Sequence, residues 1–305
     1  QLDGYKMKVL DKVKHEDEEV GLRYVNNDAC YPAIITIGQL VHELQEGNYD
    51  PERTAVIISQ TGGGCRATNY YALLKKALRS AGMNQVPVLS LNVNGMTKQT
   101  QPGFKISVEL ARNLVVSACL GDLLERVRLA TRPYERIKGS TEKVYGQWVQ
   151  RCRELLDDFS MKQYRRIIAQ IIQDLSAIET EKSAKPRIGV VGEILVKFHP
   201  YANNEIVRTI EEEGGEAVVP DLIDFFLYSL YNQEFKAEHL GKAKMKSAAG
   251  KAAIRLIEIY REPVRKALLE SGHYEAPLTI EEVAEKAMRF ISIGNQMGEG
   301  WLLPG

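Results

Sequence analysis

Four apolar runs, each too short for a helix and each closed by a turn residue, constrain this chain most strongly. They are Thr54 to Gln60 (TAVIISQ), Val86 to Leu91 (VPVLSL), Arg187 to Val191 (RIGVV) and Glu216 to Val219 (EAVV). Gly62, Asn92, Gly192 and Pro220 follow them, and long amphipathic segments separate them. Short apolar runs alternating with helical periodicity predict parallel strands joined by crossover helices. Gly21 to Val25 is a weaker strand candidate. It leads through Asn26, Asn27 and Asp28 into Cys30 and a helix ending near Leu44, which Asp28 is placed to cap.

Between the two strand groups a helical stretch runs from about Lys105 to Thr180. Pro133 lacks a backbone donor and disfavours helical geometry at Arg132, so a break is expected there, with another near Ser160. Pro186 reads as a linker, and beyond Asp221 the pattern is helical from Leu222 to Leu269 and again from Ile280 to Ile293. Thr279 and Glu282 have the spacing of a capping box. The acidic run Glu211, Glu212, Glu213 reads as a solvated helix end before the Gly214-Gly215 stop. The expected class is α/β: two Rossmann-like (flavodoxin-like) parallel-sheet units with a large helical connector and a helical C-terminal region. The expected division is 1–135, 136–184 and 185–305.

Composition narrows the functions. Forty basic side chains balance forty acidic ones, so no net positive field exists to hold a polyanion, and nucleic acid is not an expected partner. No apolar run approaches the ~20 residues that cross a bilayer, so no membrane partner is expected and the protein is read as cytoplasmic. Four cysteines in 305 residues are too sparse for a disulfide scaffold. The closing run Trp301-Leu302-Leu303-Pro304-Gly305 reads as a cut end, and the chain is expected to be a fragment.

The segment of greatest chemical interest is Gln60 to Tyr70, QTGGGCRATNY, where a strand should give way to a helix. Gly62, Gly63 and Gly64 let the backbone approach a bound group, and the following helix offers unpaired amides and a positive dipole end. Cys65 at that end is suited to act as a thiolate nucleophile or metal ligand; alternatively the glycines make a tight turn over a packed cysteine. Cys30 enters a helix from an analogous loop. The two thiols are candidates to converge at the carboxyl edge of a parallel sheet. Cys119, in the apolar run Leu114 to Leu120, reads as a buried helical thiol. Cys152, between Arg151 and Arg153, reads as a surface or half-buried residue.

Several chemistries lack support. No Lys-Ser/Thr pair follows the glycines, so they are not a phosphate-binding P-loop. The histidines at 15, 42, 199, 239 and 273 show no zinc-site spacing, and no Gly-x-Ser-x-Gly elbow occurs. Glu193 and Asn203 follow the third strand and are candidates to face a crevice between units; the plainer reading makes Glu193 a solvated loop carboxylate and Asn204 a helix cap.

The run Asn27 to Ala33 with Gly38, and the run Gly62 to Tyr70, resemble the large activator-type proteins related to 2-hydroxyacyl-CoA dehydratases, known as activator of (R)-2-hydroxyglutaryl-CoA dehydratase or acyl-CoA dehydratase activase-related protein. Gly121-Asp122-Leu123-Leu124, Arg132-Pro133-Tyr134-Glu135 with Gly139, Gly192-Glu193 through Asn203-Asn204 to Glu211, and Gly214-Gly215-Glu216 extend the resemblance over most of the chain. It implies α/β domains around a cysteine-bound 4Fe-4S cluster, with Cys30 and Cys65 as two of its ligands. A further family cysteine follows a Gly-Glu-Gly stretch, here Gly298-Glu299-Gly300, and this chain stops at Gly305 before any such residue.

The expectation is therefore a 4Fe-4S, dehydratase-like electron-transfer module without the ATPase domain that usually bears the activator name. An ATPase activator domain or dehydratase-like subunit is the expected partner, and a homodimer is compatible with this reading. Two alternatives stand beside it. One is a non-catalytic scaffold that docks such a partner. The other is an acyl-CoA-binding module in which Gly62, Gly63, Gly64 and Arg66 hold an anionic group such as a CoA phosphate.

Overall fold

The computed structural model describes residues 6–10, 12–26, 28–60, 66–92, 107–239, 241 and 244–290. In chain order the elements are α1 (His15–Tyr24), α2 (Tyr31–Glu46), β1 (Val56–Gln60), a 3-10 turn (Arg66–Asn69), α3 (Tyr70–Ser80), β2 (Val88–Asn92), α4 (Val108–Thr131), a 3-10 turn (Arg132–Tyr134), α5 (Ser140–Asp157), α6 (Met161–Ser176), β3 (Arg187–Gly189), α7 (Ile194–Phe198), α8 (Ile206–Glu212), β4 (Glu216–Val218), α9 (Leu222–His239), α10 (Lys244–Ser271) and α11 (Ile280–Ala287). Of the described residues 65% are helical, so helix packing forms most of the body, and the described strands make two small parallel sheets. β1 pairs with β2 from Val56 opposite Val88 to Gln60 opposite Asn92, and β3 pairs with β4 from Arg187 opposite Glu216 to Gly189 opposite Val218. All four expected strands are present.

The chain divides into two compact units at different points from those expected. Of the described residues, the first takes those before 107 together with Glu193–Asn204; the second takes Ser107–Gly192 and those from Glu205. The expected cut at 135 falls just beyond α4, which packs with α5 and α6 rather than with β1 and β2.

In the first unit, α1 and α2 cross through two glycines. Gly21 lies against the Ile34 carbonyl and Gly38 against the Asp17 carbonyl, so close that a methyl at either would sit 2.2 or 2.0 Å from that oxygen. The expected strand at Gly21 to Val25 is instead the end of α1. Its apolar spacing suits either period, and tight seating of Gly21 against a neighbouring helix supplies what local pattern does not. Asp17 begins α1 by accepting the Lys14 amide at 2.8 Å, and its other oxygen meets His42 Nδ1 at 2.5 Å. Ile34, Ile37 and Val41 of α2 then close on Val56, Ile58, Leu74 and Leu78 from β1 and α3.

The second unit is built around α4, α5, α6, α9 and α10. Tyr164, Ile168, Ile171, Ile172 and Leu175 of α6 recur at helical spacing and are all buried, and Ser160 caps that helix by accepting the Gln163 amide at 3.2 Å. Trp148 is buried, and its indole N–H donates to Asp174 at 3.0 Å. Cys152 belongs to this core and is 7% exposed, which corrects the surface or half-buried reading. The flanking arginines misled: Arg151 lies over the Trp148 ring and keeps its charge outward while the thiol turns in. Thr279 and Glu282 form the expected capping box of α11. No described helix is long and apolar enough to cross a membrane.

Candidate functional site

Cys30 is the N-cap residue of α2, with extended backbone (φ −65°, ψ 148°) and Pro32 in the first helical turn. Asp28 does not take that position, because Pro32 fixes the helix start two residues later. The thiol is half-buried, and its Sγ lies 3.5 Å from the Tyr70 hydroxyl. Tyr70 is buried and is the first residue of α3, five positions after Cys65 in the chain. The loop that enters α2 is thereby held against the start of α3. Lys76 of α3 adds a second tie by donating to Asn26 Oδ1 at 3.1 Å.

The glycine-rich segment leaves the carboxyl end of β1. Gln60, the last residue of that strand, donates through Nε2 to the Thr68 carbonyl in the 3-10 turn, and accepts from Ser90 of β2 at 2.7 Å. The two flanks of the segment are thus fixed to each other and to the sheet. Gly62, Gly63, Gly64 and Cys65 lie outside the described residues, as does the Arg66 side chain; the Arg66 backbone opens the 3-10 turn.

Glu193–Asn204 gathers with the Cys30 unit. Glu193 caps α7 by accepting the Val196 amide at 3.1 Å, and Asn203 donates to the Lys197 carbonyl at 3.1 Å, so these two residues shape their own segment. Asn204 and Glu205 adopt left-handed backbone with φ of 55°, and Glu205 rather than Asn204 is the N-cap residue of α8. Tyr201 reaches outward from the segment. Its hydroxyl donates to Glu18 Oε2 at 3.1 Å and lies 3.4 Å from His15 Nδ1. Tyr31, next to Cys30, has its phenol pushed above the usual value by burial and by Glu18. Sequence reasoning missed Glu18 and Tyr201 as neighbours of this edge. The partners lie 183 positions apart, and no local signal joins them.

The remaining described thiols do not present themselves to a ligand. Burial pushes Cys119 up to about 12 and Cys152 up to about 12, so both stay neutral and packed. No group of three or more His, Cys, Asp or Glu side chains among the described residues is arranged to hold a metal ion.

The polar motifs of the second unit form a stitched ionic network. Asp122 of α4 accepts the Leu222 and Ile223 amides at 2.8 and 2.9 Å, one on each oxygen, and so caps α9 from another helix. Beside it, Arg261 is 2% exposed and donates to Asp221 at 3.2 Å and Asp224 at 2.5 Å, while Arg126 donates to Asp221 at 2.5 Å. Burial and then the charge of Asp221 push the Asp122 carboxyl up to about 8, against its two amide hydrogen bonds; burial likewise raises Asp224, against Arg261. Arg132 grips Glu211 through Nε and Nη2 at 2.8 Å each. Glu135 accepts the Gly139 and Thr141 amides at 2.7 and 2.8 Å, and Tyr134 donates to Glu216 at 2.7 Å.

A cavity of about 290 Å³ opens beside β4, lined by Tyr134, Arg187, Glu216, His273, Tyr274 and Glu275 among others. Its charged groups are already matched to each other. Arg187 holds Glu216 at 3.1 Å and Glu275 at 2.7 and 2.9 Å, and Tyr134 takes the second oxygen of Glu216. Its size is at the lower end of ligand sites. Its lining behaves as a self-satisfied network that joins β3, β4 and the segment before α11.

Comparison of the chain with protein-family models, with curated proteins and with solved structures finds no match.

Proposed function

We propose that the first unit is a thiolate-ligand module for a 4Fe-4S cluster, with Cys30 and Cys65 as two of the ligands, working in one-electron transfer of the dehydratase-activating kind. One observation supports this reading above others: the half-buried Cys30 thiol at a helix N-terminus lies 3.5 Å from Tyr70, at the start of the helix that Cys65 precedes. The donor chemistry fits. Cys30 is partly accessible and at the positive end of a 16-residue helix, whereas Cys119 and Cys152 are held neutral by burial. A cluster held here supplies reversible one-electron chemistry.

The chain's own residues have separable roles. Cys30 as a thiolate can only accept a hydrogen bond, so Tyr70 donates its hydroxyl proton to the sulfur and fixes its direction. Gln60 anchors both flanks of the glycine-rich segment, which limits where a residue at 65 can be presented. In this proposal the two parallel strand pairs belong to Rossmann-like units, the protein is cytoplasmic, and electrons come from an ATP-hydrolysing partner.

Anaerobic reconstitution with iron and sulfide tests the reading. Cys30→Ala and Cys65→Ala should each remove most of the cluster absorption, and Tyr70→Phe should keep the cluster while shifting its reduction potential. Full cluster content in Cys30→Ala would sink the proposal.

A further inference from the structure

α10 carries a buried, mainly apolar stripe and a second apolar stripe on roughly the opposite face. One is Gly250, Ile254, Ile257, Arg261, Val264 and Leu268, spaced alternately four and three residues apart; it faces the core, with Gly250 set close against the Leu230 carbonyl of α9. The other is Met245, Ala249, Ala252, Leu256, Ile259 and Pro263, in the same alternation, and most of it faces solvent. Met245 is 81% exposed, Leu256 55% and Ile259 54%. A surface helix needs only one apolar stripe, and a second with alternating three and four spacing has the pattern of a helix-pairing seam.

We propose that this outer stripe pairs antiparallel with the same stripe of a second copy of the chain, Leu256 packing on Ile259 of the second copy and Ala252 on its Pro263. Charge placement on the seam's edge argues for a second copy and for this direction. Arg255 and Glu262 flank the stripe on one side, seven positions apart. In the antiparallel register centred on Leu256 and Ile259, Arg255 of each copy falls opposite Glu262 of the other, giving two symmetric ion pairs. A parallel pairing places Arg255 beside Tyr260 and forms neither. Both side chains are exposed, and Arg255 makes no ion pair among the described residues. Glu262 spends one oxygen on Arg265 of its own helix and keeps the other for a second donor. On the opposite edge, Ala253 of one copy meets Tyr260 of the other, a small residue against a large one.

The seam is short. Its central layers run from Ala252 to Pro263, and Lys266 and Glu270 close its far end with charge. A pairing of this extent lies at the small end of specific interfaces, so the dimer is reversible and forms with rising concentration.

Sedimentation equilibrium of the full chain under reducing conditions, across a wide concentration range, tests the proposal. A monomer–dimer equilibrium is expected. Leu256→Glu buries a charge twice in the symmetric seam and should weaken it by about a hundredfold or more, with an unchanged urea midpoint because Leu256 faces solvent. Leu114→Glu, a comparably exposed leucine on α4, should leave it unchanged. Arg255→Glu and Glu262→Arg should each weaken the dimer by about tenfold, and the double variant should restore it. A monomer at every concentration, or a dimer indifferent to Leu256→Glu, overturns self-pairing and leaves the face to another protein. Failure of the charge swap to restore the dimer overturns the antiparallel register.

Discussion

Replacing a mid-helix glycine by alanine should have opposite signs at Gly38 and Gly121, and the structure sets both magnitudes. In an open helical position the exchange stabilises by about 0.5–1 kcal/mol, because alanine loses less backbone freedom on folding. Gly121 in α4 is such a position, with nothing within 4 Å of the added methyl. Gly38 in α2 is the reverse: the methyl would lie 2.0 Å from the Asp17 carbonyl oxygen and 2.7 Å from the Gly21 nitrogen. Restoring a contact of about 3 Å requires α1 to move away by roughly 1 Å, and overpacking of that kind costs about 1–3 kcal/mol. The displacement also pulls Asp17 from His42, which meet at 2.5 Å in a buried pair. A net loss of about 2 kcal/mol remains after the helix-propensity gain. Urea unfolding followed by far-UV circular dichroism should show Gly38→Ala with a lower midpoint. With Trp301 replaced by Phe, Trp148 fluorescence should show Gly121→Ala with a higher one. A neutral or stabilising Gly38→Ala would refute the close crossing of α1 and α2 and the argument built on it.

Arg261→Met should destabilise by about 3–5 kcal/mol, since it strands Asp224 as a buried carboxylate and leaves Asp221 to Arg126; chemical denaturation measures the loss, and a change below about 1 kcal/mol would contradict the pairing. The raised Asp122 and Asp224 carboxyls bind protons in the folded chain that the unfolded chain releases, so their contribution to stability is present at low pH and declines as pH rises from about 4 toward 8. Asp122→Asn should flatten that decline while weakening the α9 cap, and a stability–pH profile identical to wild type would count against a shifted Asp122. In a Cys65→Ser background, a thiol reagent should modify Cys30 in the native protein and reach Cys119 and Cys152 only on unfolding; native modification of Cys119 at the rate of Cys30 would show the burial to be wrong.

The parts of the fold legible in the sequence were those set by local chemistry. The four strands are apolar runs ended by turn residues, α4 gives way to a 3-10 turn at Pro133 although Arg132 before it keeps helical backbone, and Ser160 and Thr279 announce helix starts through their own side chains. What the sequence withheld depends on distant partners. Gly21 to Val25 is helical because Gly21 seats on Ile34, and Asp122 caps a helix that starts 100 positions later. Glu193–Asn204 joins the Cys30 unit through contacts that no composition shift marks. Cys152 looked exposed because its neighbours are arginines, whose long stems can turn a charge outward from a buried thiol.

The polar motifs of the two units separate by what their side chains do. In the second unit Asp122, Arg132, Tyr134, Glu135, Glu211 and Glu216 each hold another element in place: a helix cap, a bidentate ion pair or a tie to a strand. A side chain whose hydrogen bonds are used in this way has little capacity left for a ligand, so these polar residues are accounted for by folding alone. The Cys30 motif differs. Its thiol caps no amide of α2, and it lies 3.5 Å from the Tyr70 hydroxyl at the start of α3. The proposed chemistry therefore rests on Cys30, Tyr70 and the flanks of the glycine-rich segment, whereas the polar motifs of the second unit serve architecture. Substitutions in the two groups should part accordingly: changes at Arg132 or Asp122 register as lost stability, whereas Cys30→Ala leaves the urea midpoint nearly unchanged and alters only what the first unit can bind.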